Sequence, residues 1–235
     1  MRTPNASESY LRHPTSRLLA TPGSVRVLRE LLESEPPLPV RALAHRTGLS
    51  AQAVRNTLVG LQEGGIVEEL GEGRSRLYRA DVGHPLYLPL GALFRAEAER
   101  FETVLDGLAT AARNLTPTPL GMWAYGSVAR GDDDPHGDME VALVAADEEV
   151  ETPVARLQEM IGPLQDVQRV WISVVGLSPG DVRRLAGSSD RWWRGATEPH
   201  LPIFGTDPHT LARELERPGR PRGTFREAAR SRRAR

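Results

Sequence analysis

The stretch "YGSVARGDDDPHGDMEV", residues 125–141, sets a Gly-Ser pair (Gly126, Ser127), an Arg-Gly (Arg130, Gly131) and a carboxylate doublet, Asp138 and Glu140, between two apolar runs. Met122, Trp123, Ala124 and Tyr125 form a short strand that stops at Gly126, and "DMEVALVAA" supplies the next strand. A strand that gives way to a turn or helix at a Gly-Ser pair aims backbone N–H groups outward at an anion, and glycine has no side chain to block phosphate oxygens. The Ser127 hydroxyl adds a hydrogen bond. Asp138 and Glu140, two residues apart at the start of an apolar strand, project from one face. Their repulsion is costly there unless a divalent cation or an arginine neutralises it, and Mg²⁺ takes one or two carboxylates together with substrate phosphate oxygens.

Working outward, the spacing of Val154, Leu157, Met160 and Ile161 predicts a helix, "VQRVWISVVGL" a third strand, and "SPGDVRRLAG" a helix capped by Ser178 with Pro179 in its first turn. "LPIFGTDPHTLAREL" reads as a last strand and helix. Helices alternate with strands, so residues 117–216 are expected to form a mixed α/β domain. Asp132, Asp133 and Asp134 before Pro135 read as a solvated turn, and His136 as a bystander in it. Trp192 and Trp193 read as core or interface in preference to a base-stacking pair.

Upstream, Val25, Leu28, Leu31 and Leu32 recur at helical spacing after Ser24, taken as the N-cap, and "SEPPLP" ends that helix. A helix over 40–47 meets Gly48, and Ser50 caps a third helix that ends at "EGG". Val54, Leu58 and Leu61 should face a core, leaving Gln52, Arg55 and Asn56, with Gln62 as a further candidate, on the opposite surface as base-reading side chains. "IVEEL", "GEGRS" and "RLYRA" read as two strands around a Gly-rich turn with Arg74 and Arg76 near its tip. This pattern over residues 16–81 resembles the winged helix-turn-helix of bacterial transcription regulators, which implies double-stranded DNA as a partner. Residues 82–116 are read as a linker, "GHPLYLPLG", and a long amphipathic helix with Phe94, Phe101, Val104, Leu105, Leu108, Ala112 and Leu115 in one stripe. That stripe is read as packing, with a homodimer seam as the alternative.

A chain of 235 residues is long enough for two modules with their own cores. Cysteine and lysine are both missing, which excludes disulfides, thiolate chemistry and any lysine mechanism; all 30 basic residues are arginine. Charge divides along the chain: 11 Arg against 9 acids in residues 1–85, 10 against 19 in 86–211, and 9 against 3 in 212–235. The acidic middle suits a cation-binding domain beside a DNA-binding one. Residues 1–15 and the basic tail 217–235 are expected to be disordered. No stretch is apolar enough to span a membrane and the N-terminus has no hydrophobic secretory segment, so a cytoplasmic protein is expected.

The Gly-Ser turn followed by paired acids resembles the signature of the polymerase-β-like nucleotidyltransferases. Gly126, Ser127 and Gly131 match its glycine-serine turn, Asp138 its first metal-binding acid, and Glu140 stands at the second, where the family usually has Asp. Gly137 replaces the customary Ser. The family places a third acid on the following central strand, and here the nearest carboxylate is Asp166. The resemblance implies NTP and Mg²⁺ as ligands, Asp138 and Glu140 as catalytic and metal residues, and Gly126, Ser127, Arg130 and Gly131 at the phosphates. A winged helix ahead of a small nucleotidyltransferase domain resembles a group of bacterial putative regulators over residues 16–216. The expected architecture is therefore α/β plus α+β: winged helix-turn-helix, linker helix, and a nucleotidyltransferase-like mixed sheet with flanking helices. Three functions share that site: a DNA-binding transcriptional regulator that binds NTP and transfers or only senses it, a dedicated nucleotidyltransferase acting on protein, RNA or a small molecule, and an antitoxin-like component of a toxin–antitoxin system.

Overall fold

Residues 9–216, apart from 74, 75 and 189, are described by a computed structural model. The basic tail and the wing residue Arg74 lie outside the described residues. Contacts divide the chain into a unit that ends at Glu99 and one that begins at Arg100.

The first unit is built from α1 (Thr15–Leu18), α2 (Pro22–Glu33), α3 (Val40–Thr47), α4 (Ala51–Glu63), β1 (Val67–Leu70), β2 (Leu77–Ala80) and the first half of α5 (Tyr87–Asn114). Helix α2 starts earlier than the Ser24 cap predicts. Thr21 is the N-cap, its hydroxyl accepting from Ser24 N at 3.0 Å, and Pro22 takes the first turn, where a missing N–H costs nothing. Val27, Leu28, Leu31, Leu43, Val54, Leu58, Leu61 and Ile66 are buried together with Tyr78 and Phe94, so three short helices and a hairpin close one core. In the antiparallel β1–β2 pair, Glu68 stands opposite Arg79, and Leu38 bridges Tyr78 on the hairpin's other edge. Ahead of α1, the Tyr10 hydroxyl donates to Gly64 O at 2.9 Å. The predicted linker also shrinks: α5 already begins at Tyr87, with Pro89 in its first turn.

The second unit holds a four-stranded sheet in the order β5 (Ile172–Leu177), β4 (Met139–Val144), β3 (Gly121–Tyr125), β6 (Leu201–Gly205). Strand β4 runs antiparallel to β3 and parallel to β5. Side-chain alternation sends Met122, Ala124, Met139, Val141, Leu143 and Ile172 to one face, covered by Val104, Leu108 and Ala112 of α5 and by Leu157 and Ile161 of α7 (Glu151–Gln168). Trp123, Tyr125, Ala142, Val144 and Leu177 take the other face, under α8 (Pro179–Gly187), α9 (Arg191–Thr197) and α10 (Pro208–Glu216). Trp123 Nε1 donates to Ala196 O at 2.6 Å and meets Trp193 edge-on, which ties α9 to the sheet. The stripes read from sequence are wider than the buried ones, since Phe101 and Met160 are both exposed. No helix among the described residues is long and apolar enough to cross a membrane.

The start of α8 is a reciprocal cap: Ser178 Oγ accepts from Asp181 N at 3.0 Å, and the Asp181 carboxylate accepts from Ser178 N at 3.1 Å. Ser178→Ala should cost about 1 kcal/mol of stability near neutral pH. Arg184 and then Ser178 hold the Asp181 carboxyl below its ordinary value. Its contribution is therefore present above the unfolded-chain pKa, about 3.9, and is lost as pH falls through the lower folded value. Urea denaturation of wild type, Ser178→Ala and Asp181→Asn from neutral to acid pH checks both expectations.

Candidate functional sites

Helices α3 and α4 meet at Gly48, which ends α3 in the left-handed region at φ 69°, where a side chain would be strained. Ser50 then caps α4 by accepting from Ala53 N at 3.1 Å. Because Val54, Leu58 and Leu61 are buried, Gln52, Arg55, Asn56 and Val59 stand exposed on the opposite side. Gln52 Nε2 donates to Asn56 Oδ1 at 2.9 Å, and Arg55 has no ion-pair partner among the described residues. On the hairpin, Arg76 pairs with Glu69 at 3.1 Å and Arg79 with Glu68 at 2.6 Å. Arg76 therefore reaches a phosphate only by exchanging one anion for another. Gln62 is drawn toward Glu69 at 3.5 Å.

In the second unit, β3 passes into the one-turn helix α6 (Gly126–Arg130) at the Gly-Ser pair. Gly126 has φ 72°, and a Cβ there would fall on the Glu140 carboxylate, so the acid lies directly over the turn. Glu140 is half-buried on β4 between Tyr125 of β3 and Ser173 of β5. Asp138 is exposed just ahead of the strand, on the Glu140 side, because Met139 between them is buried on the α5/α7 face. Neither carboxylate has an ion-pair partner among the described residues. Among those residues no third His, Cys, Asp or Glu joins them in a group that could hold a metal ion. Two carboxylates beside a glycine turn fit a single Mg²⁺ whose remaining positions go to phosphate oxygens or water.

The remaining residues proposed for this site take other places. Arg130 pairs with Asp132 at 3.2 Å, and Gly131 is the left-handed C-cap of α6, its N–H donating to Ser127 O at 2.8 Å. Asp132, Asp133, Asp134 and His136 lie in an exposed turn closed by the Asp134 carboxylate, which accepts from His136 N. Strand β5 begins at Ile172, so Arg169 and Trp171 precede it, Asp166 sits within α7, and β5 is an edge strand and not a central one. The position beside Glu140 on the shared face is Ser173.

Tyr125 and Trp171, read from the sequence only as strand residues, and Trp192, read as core or interface, are aromatic neighbours of this segment. Tyr125 packs against Trp192 at 5.6 Å between ring centres, and Trp192 remains 36% exposed. Trp171 is 76% exposed, and its carbonyl accepts from Met139 N at 2.8 Å, next to Asp138. Burial first, then Glu140 and, more weakly, Asp138, push the Tyr125 phenol up to about 12, against the indole N–H of Trp192. The period-two alternation of Trp123 and Tyr125 with Met122 and Ala124 carries the signal for Tyr125, because it gives this ring the same face as Glu140.

Residues 24–71 match the IclR helix-turn-helix domain family. They form an IclR-type helix-turn-helix DNA-binding domain. No curated protein matches the chain. Among solved structures, a toxin–antitoxin crystal structure with AMP-PNP matches at 17% identity, over 48% of this chain and 83% of that one, with a TM-score of 0.35. A mutant of the toxin–antitoxin MntA–HpeT matches at 18% over the same shares and with the same score. At these scores the superposition is too loose to carry an assignment.

The raised Tyr125 value has a stability consequence. Its contribution is complete below the unfolded-chain pKa, about 10, and is lost as pH rises through the folded value of about 12. Tyr125→Phe should flatten the fall in stability above about pH 10, and Glu140→Gln should lower the phenol's titration. Denaturation and phenolate absorbance across alkaline pH measure these effects; a wild-type and Tyr125→Phe pair with equal slopes contradicts them.

Proposed function

We propose that the protein is a DNA-binding transcriptional regulator whose second unit binds a nucleoside triphosphate with Mg²⁺. The observation that carries this reading is Glu140 on β4 lying over Gly126 of the Gly126–Ser127 turn, with Asp138 two residues before it, neither acid having a cationic partner among the described residues. When bound, Mg²⁺ supplies positive charge shared between carboxylate and phosphate oxygens. The chain's own part is to aim those carboxylates and to leave the turn's N–H groups and the Ser127 hydroxyl open to phosphate. Because the Glu140 carboxylate lies over Gly126, it must swing aside for phosphate to approach the turn.

Transfer of NMP to an acceptor hydroxyl also needs a group that takes the hydroxyl proton. The strand position beside Glu140 is Ser173, which is no base at neutral pH, so binding is favoured over turnover as the role of this unit. Calorimetry with each of the four NTPs and Mg²⁺ should show binding that Asp138→Asn weakens at least tenfold. No heat with any NTP would remove the nucleotide reading. On the DNA side, Arg55→Ala should weaken binding to duplex DNA and lower the slope of log K against log salt by about one if Arg55 meets a phosphate.

A further inference from the structure

Val59 is an apolar side chain left 55% exposed on α4, in line with the polar residues of the same face. At about 100° per residue, Gln52, Arg55, Asn56 and Val59 fall within a stripe roughly 100° wide. Glu63, the next residue on that stripe, is exposed and acidic, so the part of the helix suited to DNA ends at Val59. In the major groove an aliphatic side chain has one specific apolar partner, the C5-methyl group of thymine.

The Gln52–Asn56 hydrogen bond adds a second constraint. It uses one N–H and one lone pair, and leaves Gln52 Oε1 as an acceptor and Asn56 Nδ2 as a donor. If both amides were flipped, one outward acceptor and one outward donor would still remain. Adenine offers the matching pair, the N7 acceptor beside the N6 donor, on its major-groove edge. We propose that α4 reads an adenine through the coupled Gln52–Asn56 amides and a thymine methyl through Val59. Asn56 lies three residues before Val59 and the midpoint of the Gln52–Asn56 pair five, about 4.5 and 7.5 Å along the helix. One base-pair step is about 3.4 Å. For a helix lying along the groove, the thymine is therefore one or two pairs from the adenine.

This inference rests on the DNA-binding reading of α4 and is independent of the nucleotide site. The full chain is used to select a site from a random duplex pool, and each thymine of that site is then replaced singly by deoxyuridine and each adenine by 7-deazaadenine. One deoxyuridine should weaken wild-type binding about three- to fivefold, the size of one buried methyl group. Val59→Ala should bind that duplex and its parent alike. A 7-deazaadenine within two pairs of it should weaken wild type and leave Gln52→Ala and Asn56→Ala indifferent. Arg55→Ala should weaken parent and modified duplexes in equal proportion. If every deoxyuridine duplex binds like its parent, or Val59→Ala keeps the sensitivity, the proposal is wrong while DNA binding stands. Selection of no sequence above the starting pool would overturn the DNA-binding reading and this proposal with it.

Discussion

The two-residue period of β4 is the constraint on which the second unit depends. Met139, Val141 and Leu143 go to the face covered by α5 and α7, and Ala142 and Val144 go to the face covered by α8, α9 and α10. Asp138 and Glu140 belong to the second set by alternation, at the start of the strand. A slip of one residue would turn the carboxylates toward the Leu108–Leu157–Ile161 core and carry Met139 and Val141 to the opposite face. The register that saves the core therefore also delivers the acids to one side. Gly126 completes the arrangement, because any Cβ at its position would meet Glu140.

The same logic with a longer period organises α4. Val54, Leu58 and Leu61 are among the most buried residues of the first unit, and their burial fixes the rotation of the helix about its axis. Once that rotation is set, Gln52, Arg55, Asn56 and Val59 have no face but the outer one. Neither outward set needs a dedicated contact to hold it there; each is the complement of a core pattern.

This explains which parts were legible in the sequence. The third helix with Val54, Leu58 and Leu61 inside, the hairpin strands, the strands flanking Gly126 and the Ser178 cap are all written in local periodicity or in single-residue capping chemistry. Element ends were not, because several residues could serve. Ser24 has the right chemistry for a cap, but Thr21 followed by Pro22 captures one more turn of α2. Pro89 looks like a helix breaker until it lies in a first turn. The spacing of "VQRVWISVVGL" cannot separate a helix end from a strand start, and Arg169 settles it by taking a left-handed C-cap at φ 52°. Neighbours across strands were also hidden: that Tyr125 and Ser173 flank Glu140 follows from pairing register, which no single segment encodes.

The missing third acid bears on folding as well as on chemistry. Residues two apart on a strand lie about 7 Å from each other. At an effective dielectric near 20, two unit charges at that distance repel by about 2 kcal/mol. Solvent around exposed Asp138 lowers that figure further. A unit whose two faces bury Trp123, Leu108, Leu143, Leu157 and Ile161 tolerates such a cost, so the acids need no cation for the fold to form. A third carboxylate at Ser173 would raise the repulsion on the same face. Serine there adds no further charge to the face that Asp138 and Glu140 share.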